Sequence, residues 1–163
     1  VADHGVHIFQ VGRTKPGQPG QPPWYLLNGS LMVALPDILI VEGQHFICLA
    51  LNHYQAEAGP VVLGGRRTCD SDDFYPRGDL QLILPRIEMQ STTSEPVSEP
   101  LLVAFFGTGS YQAMLAGEGG AHHCLAPEAP KVIIEARDGV LTTRLIGEQS
   151  WEDVLNELGY TEG

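Results

Sequence analysis

From Trp24 onward the chain is written in short apolar runs separated by turn residues, and this alternation constrains the fold more than any other feature. The runs are Trp24 to Leu27, Ile38 to Val41, His45 to Leu51, Pro60 to Leu63, Leu80 to Leu84 and Leu101 to Phe106. Each has the length of a strand and is rich in branched or aromatic side chains, which pack well on a pleated surface. His7 to Val11 reads as a further short strand ahead of them. Lys131 to Ile146 reads as a hairpin, with Val132-Ile133-Ile134 leading in and Val140 to Ile146 leading out. Asp138-Gly139 supplies its turn, because glycine accepts positive φ. Many short strands with few helices predict a mainly β chain, either a barrel or a sandwich.

The remaining segments read as loops and one or two short helices. Residues 14–23, Thr-Lys-Pro-Gly-Gln-Pro-Gly-Gln-Pro-Pro, are expected to form a loop, since proline removes donors and glycine adds backbone freedom. Gln90 to Pro100 is polar and reads as a solvated loop. Ser110 to Ala116 can form a short helix that ends at Gly117-Glu118-Gly119-Gly120. The last helix is better marked. Ser150 can cap it, Glu152 and Asp153 fill an acidic first turn, and Trp151, Val154, Leu155 and Leu158 share one face before Gly159.

At 163 residues the length fits a single domain, 1–163, large enough to bury a core. No apolar run approaches the roughly 20 residues of a membrane span. No basic-then-apolar signal segment stands at the start, although Val1 is compatible with a cut end. The formal charge of -11 argues against nucleic-acid binding, which is driven by clustered Lys and Arg. An acidic surface tolerates cationic ligands and also serves plain solubility. Cys48, Cys69 and Cys124 are odd in number and widely spaced, which points to a reducing cytoplasm rather than a disulfide framework.

Chemistry concentrates at Thr68-Cys69-Asp70-Ser71-Asp72-Asp73, where a thiol and three carboxylates follow the apolar run Pro60 to Leu63 and Gly64-Gly65. From spacing alone, an Asp-rich turn beside an incidental cysteine is favoured over a functional cluster. A metal site is disfavoured, because no Cys-x-x-Cys partner or paired histidine stands nearby.

This run resembles the cysteine motif of the fold-type III decarboxylases for ornithine, diaminopimelate and arginine, and its Cys-Asp-Ser-Asp form is most similar to biosynthetic arginine decarboxylase. Two more segments match in order. Ser30-Leu31-Met32-Val33-Ala34-Leu35-Pro36-Asp37 resembles the family's Ser-Leu-x-x-Ser-Leu-Pro-Asp stretch, and Phe105-Phe106-Gly107-Thr108-Gly109-Ser110-Tyr111-Gln112 its Gly-Ala-Tyr-Gln stretch. Weaker similarity continues through Gly147 to Leu155, so the resemblance covers roughly Trp24 to Tyr160. It implies a β-barrel-like domain that packs on a separate (β/α)8 barrel. That barrel holds pyridoxal 5'-phosphate through its phosphate and a Schiff-base lysine. In members that dimerise, the cysteine motif of one subunit completes the site of the other, so an oligomer is expected.

The resemblance also implies roles. Cys69 matches the proton donor, and a thiol of pKa near 8.5 is a reasonable acid at neutral pH. Asp70 matches the residue that meets the cationic tail of a basic amino acid, where a carboxylate pairs well with a guanidinium. Asp72 and Asp73 would tune that tail pocket or cap the turn, Asp73 being counted with Asp70 as substrate-binding. Tyr111 matches the tyrosine that reaches the cofactor.

The chain also departs from the pattern. Its lysines are Lys15, in the Pro/Gly-rich stretch, and Lys131, at the start of the hairpin, and neither position promises a desolvated amine. No glycine-rich phosphate loop is evident, since the glutamate in Gly117-Glu118-Gly119-Gly120 would repel phosphate. Where the family has His-Asn, Ala121-His122-His123-Cys124 stands, read as a surface or interface loop with metal binding as the lesser alternative. Two functions follow. In one, the chain supplies Cys69, Asp70 and Tyr111 to a site whose lysine belongs to another polypeptide, and is inactive alone. In the other, it is a non-catalytic module that regulates a decarboxylase or binds an amine.

Overall fold

The computed structural model describes residues 4–66, 72–87, 99–109, 112 and 127–160. They fall into two compact units, Val1–Ala116 and Gly117–Gly163. The first unit is a seven-stranded, curled half-barrel sheet. In chain order its strands are β1 (Val6–Lys15), β2 (Trp24–Leu27), β3 (Ile47–Ala50), β4 (Ala58–Gly64), β5 (Phe74–Tyr75), β6 (Leu82–Pro85) and β7 (Leu102–Phe106). The spatial order is β3-β7-β1-β2-β4-β5, with β6 also paired to β4. Only β2 and β4 run parallel among these pairs, with Tyr25 opposite Leu63.

Register sorts the side chains of this sheet onto two faces. Val6, Phe106 and Ile47 lie in one row across β1, β7 and β3, and Ile8, Ala104 and Leu49 in the next but one. Val6, Ile8, Ile47 and Leu49 on that face are exposed. The intervening rows, Phe9 with Val103 and Phe105 with Cys48, point into the core. There Phe105 meets Phe9 edge-on at 5.9 Å and Tyr75 at 5.2 Å. Tyr75 keeps its hydroxyl satisfied by donating to the Phe46 carbonyl at 2.8 Å. Burial pushes the Cys48 thiol up to about 12, so it stays neutral and packs as a small apolar group. Leu27, Leu31, Leu35 and Leu63 complete the centre with no exposed surface. Burying each such side chain is worth roughly 1.5–3 kcal/mol.

The second unit holds the antiparallel hairpin of β8 (Lys131–Arg137) and β9 (Val140–Ile146), followed by a helix at Trp151–Glu157. Asp138 and Gly139 both have positive φ, 53° and 78°, as the expected turn demands. Ser150 and Asp153 form a reciprocal capping box at the helix start, and Gly159 follows its end at φ 86°.

Three expectations need correction. The run Ile38 to Val41 is not a strand: residues 31–40 form two single-turn helices, α1 (Leu31–Ala34) and α2 (Asp37–Ile40), which makes the C-terminal helix α3. A short apolar run is ambiguous by period, and here the Ser30 cap and the fixed φ of Pro36 favour helical turns. Three short helices are described in all. Thr14 and Lys15 belong to β1 rather than to the Pro/Gly loop, because they pair with Tyr25 and Trp24 of β2. On α3 only Val154 of the expected apolar face is buried.

Candidate functional site

Cys69, Asp70 and Tyr111 lie outside the described residues, as does Ala121-His122-His123-Cys124. The residues on either side of the first two in the chain are described. β4 and β5 pair through Leu63–Tyr75 and Gly64–Phe74, and the Gly65 N–H then donates to the Asp73 carbonyl at 2.7 Å. Gly65 and Asp73 are thereby held side by side. Arg66 N–H donates to the Gly29 carbonyl at 3.0 Å.

Asp73 is buried, with 6% of its surface exposed. Its Oδ1 accepts from the backbone N–H of Leu31 at 2.8 Å and of Met32 at 3.0 Å. Ser30 Oγ accepts from Val33 N–H at 3.2 Å. The orphan donors of the first turn of α1 are thus met by two side chains, one local and one 42 residues away. A carboxylate accepting two backbone N–H groups makes strong, charge-assisted bonds. Gly65 makes room for it, since a Cβ there would stand 1.8 Å from Asp73 Oδ2.

Asp72 is exposed and pairs with Arg77 at 3.9 Å. The Arg77 guanidinium lies 4.7 Å from the centre of the Phe74 ring and also donates to the Asp72 carbonyl.

A second clamp acts on α2. Gln112, 2% exposed, donates from Nε2 to Asp37 Oδ2 at 2.6 Å and accepts from Asp37 N–H at 3.3 Å. Gln112 directly follows Tyr111 in the chain. The segment from Ser30 to Asp37 therefore touches both other motifs, Asp73 at one end and Gln112 at the other. Sequence reasoning named Ser30, Asp37 and Gln112 within motifs but gave them no task. Ser30 before an apolar run is a local cap signal, whereas nothing local announces a Gln112–Asp37 pair 75 residues apart.

Both lysines are described. Lys15 is exposed at the end of β1, and Lys131 is exposed and paired with Glu128. Neither is desolvated, so neither is suited to hold an aldehyde cofactor covalently. Among the described residues no group of three or more His, Cys, Asp or Glu is placed to hold a metal ion, and no helix is long and apolar enough to cross a membrane. A groove of about 630 Å³ lies elsewhere, lined by Pro22, Pro23, Tyr25, Pro60, Arg86 and Ile87 among others, and neither Asp73 nor Gln112 borders it.

No family model matches the chain, and no curated protein matches it in sequence. Solved structures do. A diaminopimelate decarboxylase superposes with a TM-score of 0.69 at 20% identity, over 97% of this chain and 34% of its own. The biosynthetic arginine decarboxylase of Campylobacter jejuni gives 0.68 at 27% identity, over 87% of this chain and 22% of its own. The diaminopimelate decarboxylase of Helicobacter pylori, complexed with L-lysine, gives 0.62 at 16% identity, over 98% and 33%. The chain thus spans about a third or less of the length of each. Its fold is that of the β domain of the diaminopimelate and arginine decarboxylases, the fold-type III enzymes that its motifs resemble.

Proposed function

We propose that the chain is the β-domain component of a pyridoxal-phosphate-dependent decarboxylase of basic amino acids, of the arginine type. One observation carries this: the segment Ser30–Asp37 is bonded to Asp73 on one side and to Gln112 on the other, residues that the resemblance places in the two other motifs. Asp73 lies three residues after Asp70 in the chain, and Gln112 directly follows Tyr111. The arginine preference draws support from Cys69-Asp70-Ser71-Asp72, from Leu35-Pro36-Asp37 and from the 27% identity to an arginine decarboxylase.

The cofactor, when bound, supplies the electron sink that loss of CO₂ requires. Its covalent attachment is assigned to a lysine of a (β/α)8-barrel chain, because both lysines of this chain are exposed. On that assignment Cys69 Sγ–H donates a proton to the carbon that has lost CO₂. Asp70 accepts hydrogen bonds from the cationic tail of the substrate. Tyr111 contacts the cofactor, and Asp73 belongs to the binding segment that it anchors on α1. The exposed apolar row Val6, Ile8, Ile47 and Leu49 supports association with another chain in an oligomer. A cytoplasmic site of action follows from the same reading.

The test is kinetic. The natively purified protein should travel with a lysine-bearing chain and show cofactor absorbance. In that complex Cys69→Ala should lower kcat about 10²- to 10⁴-fold while leaving the absorbance intact. Asp70→Ala should instead raise KM and blur the choice among arginine, ornithine and lysine. Wild-type kinetics from both variants on every substrate would sink the assignment. A monomer that carries no partner and binds a free amine would favour the second reading, a non-catalytic regulatory or amine-binding module, which the exposed lysines also accommodate.

A further inference from the structure

We propose that the groove of about 630 Å³ along β2 and β4 is a binding site for a small monocarboxylate with an apolar body, and that Arg86 is the cation that receives the carboxylate. The inference stands on described residues and is independent of the decarboxylase reading, since neither Asp73 nor Gln112 borders the groove.

The place of Arg86 is set by its neighbours. Tyr25, 2% exposed, donates its hydroxyl to the Pro85 carbonyl at 3.1 Å and accepts from the Ile87 N–H at 3.1 Å. One buried hydroxyl therefore brackets Arg86 on both sides. The Arg86 N–H donates to the Glu57 carbonyl at 2.7 Å, which carries the pairing of β4 and β6 one step further. The guanidinium then lies against Gly59, where a Cβ would stand 2.5 Å from Arg86 Nε and 3.0 Å from Nη2. Only a glycine permits that close approach. Among the described residues the guanidinium has no ion-pair partner, so its fork of N–H donors is open to a ligand.

The walls define the rest of the ligand. Pro22, Pro23, Pro60 and Pro76 line the groove together with Leu82 and Ile87. Prolines fix φ and offer no N–H, so these walls are stiff and poor in donors. Among the described lining residues Arg86 is the one charge and none is acidic, in a chain with 20 acidic and 9 basic side chains. A guanidinium takes a carboxylate through two parallel N–H···O bonds. A dianion would keep a second charge unpaired beside apolar walls, which is costly. A basic amino acid would find no acid there to meet its cationic groups. The volume lies within the roughly 300–1,000 Å³ usual for small-molecule sites.

The test is binding to the full chain, with 3-phenylpropionate as the probe, followed by calorimetry and by the NMR signals of Tyr25 and of the Arg86 Nε–H. Saturable one-to-one binding that moves both signals is expected. The neutral isostere 3-phenylpropionamide should bind about tenfold more weakly or worse, and so should the acid to Arg86→Gln. Arg86→Lys keeps the charge but loses the fork, so it should recover only part of the affinity. Gly59→Ala pushes the guanidinium off its seat without removing it and should weaken binding several-fold. Arg86 is exposed, so its variants should keep the wild-type denaturation midpoint, which separates lost binding from lost fold. Equal affinity for acid and amide, undiminished binding to Arg86→Gln, or no saturation by roughly 10 mM overturns the site. Tighter binding of phenyl phosphate or of L-arginine than of 3-phenylpropionate overturns the ligand class.

Discussion

The sheet of the first unit and the hairpin of the second are built from the same kind of strand and end in opposite conditions. In β1, buried Phe9, Val11 and Thr14 alternate with exposed neighbours, and the strand pairs with Leu102 to Phe106, distant in sequence, on one side and with Trp24 to Leu27 on the other. In β8 and β9 the pairing is wholly local, from Arg137 opposite Val140 out to Lys131 opposite Ile146, and no residue of either strand is buried. Val132, Ile134, Leu141 and Leu145 share one exposed face of that hairpin. The contrast separates two sources of β structure. A turn with the right φ angles aligns two strands without burying anything, whereas a long-range sheet holds only because its inner face leaves water. A two-stranded hairpin is marginal by itself in water, so its order rests on the turn and on whatever packs against it in the native protein.

The largest expected effect breaks the sheet and spares the hairpin. Phe105→Ala removes a fully buried ring that packs on both Phe9 and Tyr75. It should cost about 3–5 kcal/mol in chemical denaturation. Leu145→Ala, at a side chain 73% exposed, should stay within about 0.5 kcal/mol. Equal losses from the two would erase the distinction. A clear loss from Leu145→Ala confined to the natively purified complex would sharpen it instead, by showing that a partner covers the hairpin face.

A smaller effect should be confined to the hairpin. Gly139 sits at φ 78° with nothing within reach of an added Cβ, so Gly139→Val meets backbone strain rather than a clash. The expected cost is about 1–3 kcal/mol. Amide exchange should show protection falling across β8 and β9 while β1 and β7 keep theirs. Loss of protection in both units together would contradict the local character of the turn.

The smallest effect is at α3. The Ser150 backbone N–H and hydroxyl both donate to Asp153, which holds the Asp153 carboxyl below its ordinary value. A depressed carboxyl contributes stability that is present above its unfolded pKa and is lost as pH falls through the folded one. Helicity of α3 should therefore decline on acidification below the ordinary carboxylate range. Ser150→Ala should flatten that dependence and cost about 0.5–2 kcal/mol of local stability. An unchanged acid profile in Ser150→Ala, followed by NMR of Trp151, would show that the cap does not govern it.

Much of the second unit is legible in the order of its residues. Asp138-Gly139 predicts the hairpin and its register, and Ser150, Asp153 and Gly159 predict where α3 begins and ends. Each signal acts over a few residues, through a φ angle or a cap. Strands β2, β4 and β7 are also visible as apolar runs, although their partners are not. The site is half legible. Resemblance names the motifs, but the work of Asp73, Asp37 and Gln112 stays hidden, because hydrogen bonds across 42 and 75 residues leave no periodic trace.

By itself the sequence determined the mainly β character, the places of the turns, the hairpin and its closing helix, since local sterics and hydrophobic periodicity act within a few residues of where they are written. Only the tertiary structure decided that Ile38 to Ile40 turns as helix and that Thr14 and Lys15 continue β1. It alone placed β2 parallel to β4 and brought Asp73 and Gln112 onto the same pair of helical turns. Those choices depend on which distant apolar face and which buried donor each residue can satisfy. That balance exists only once the chain has closed on itself and water has left the core.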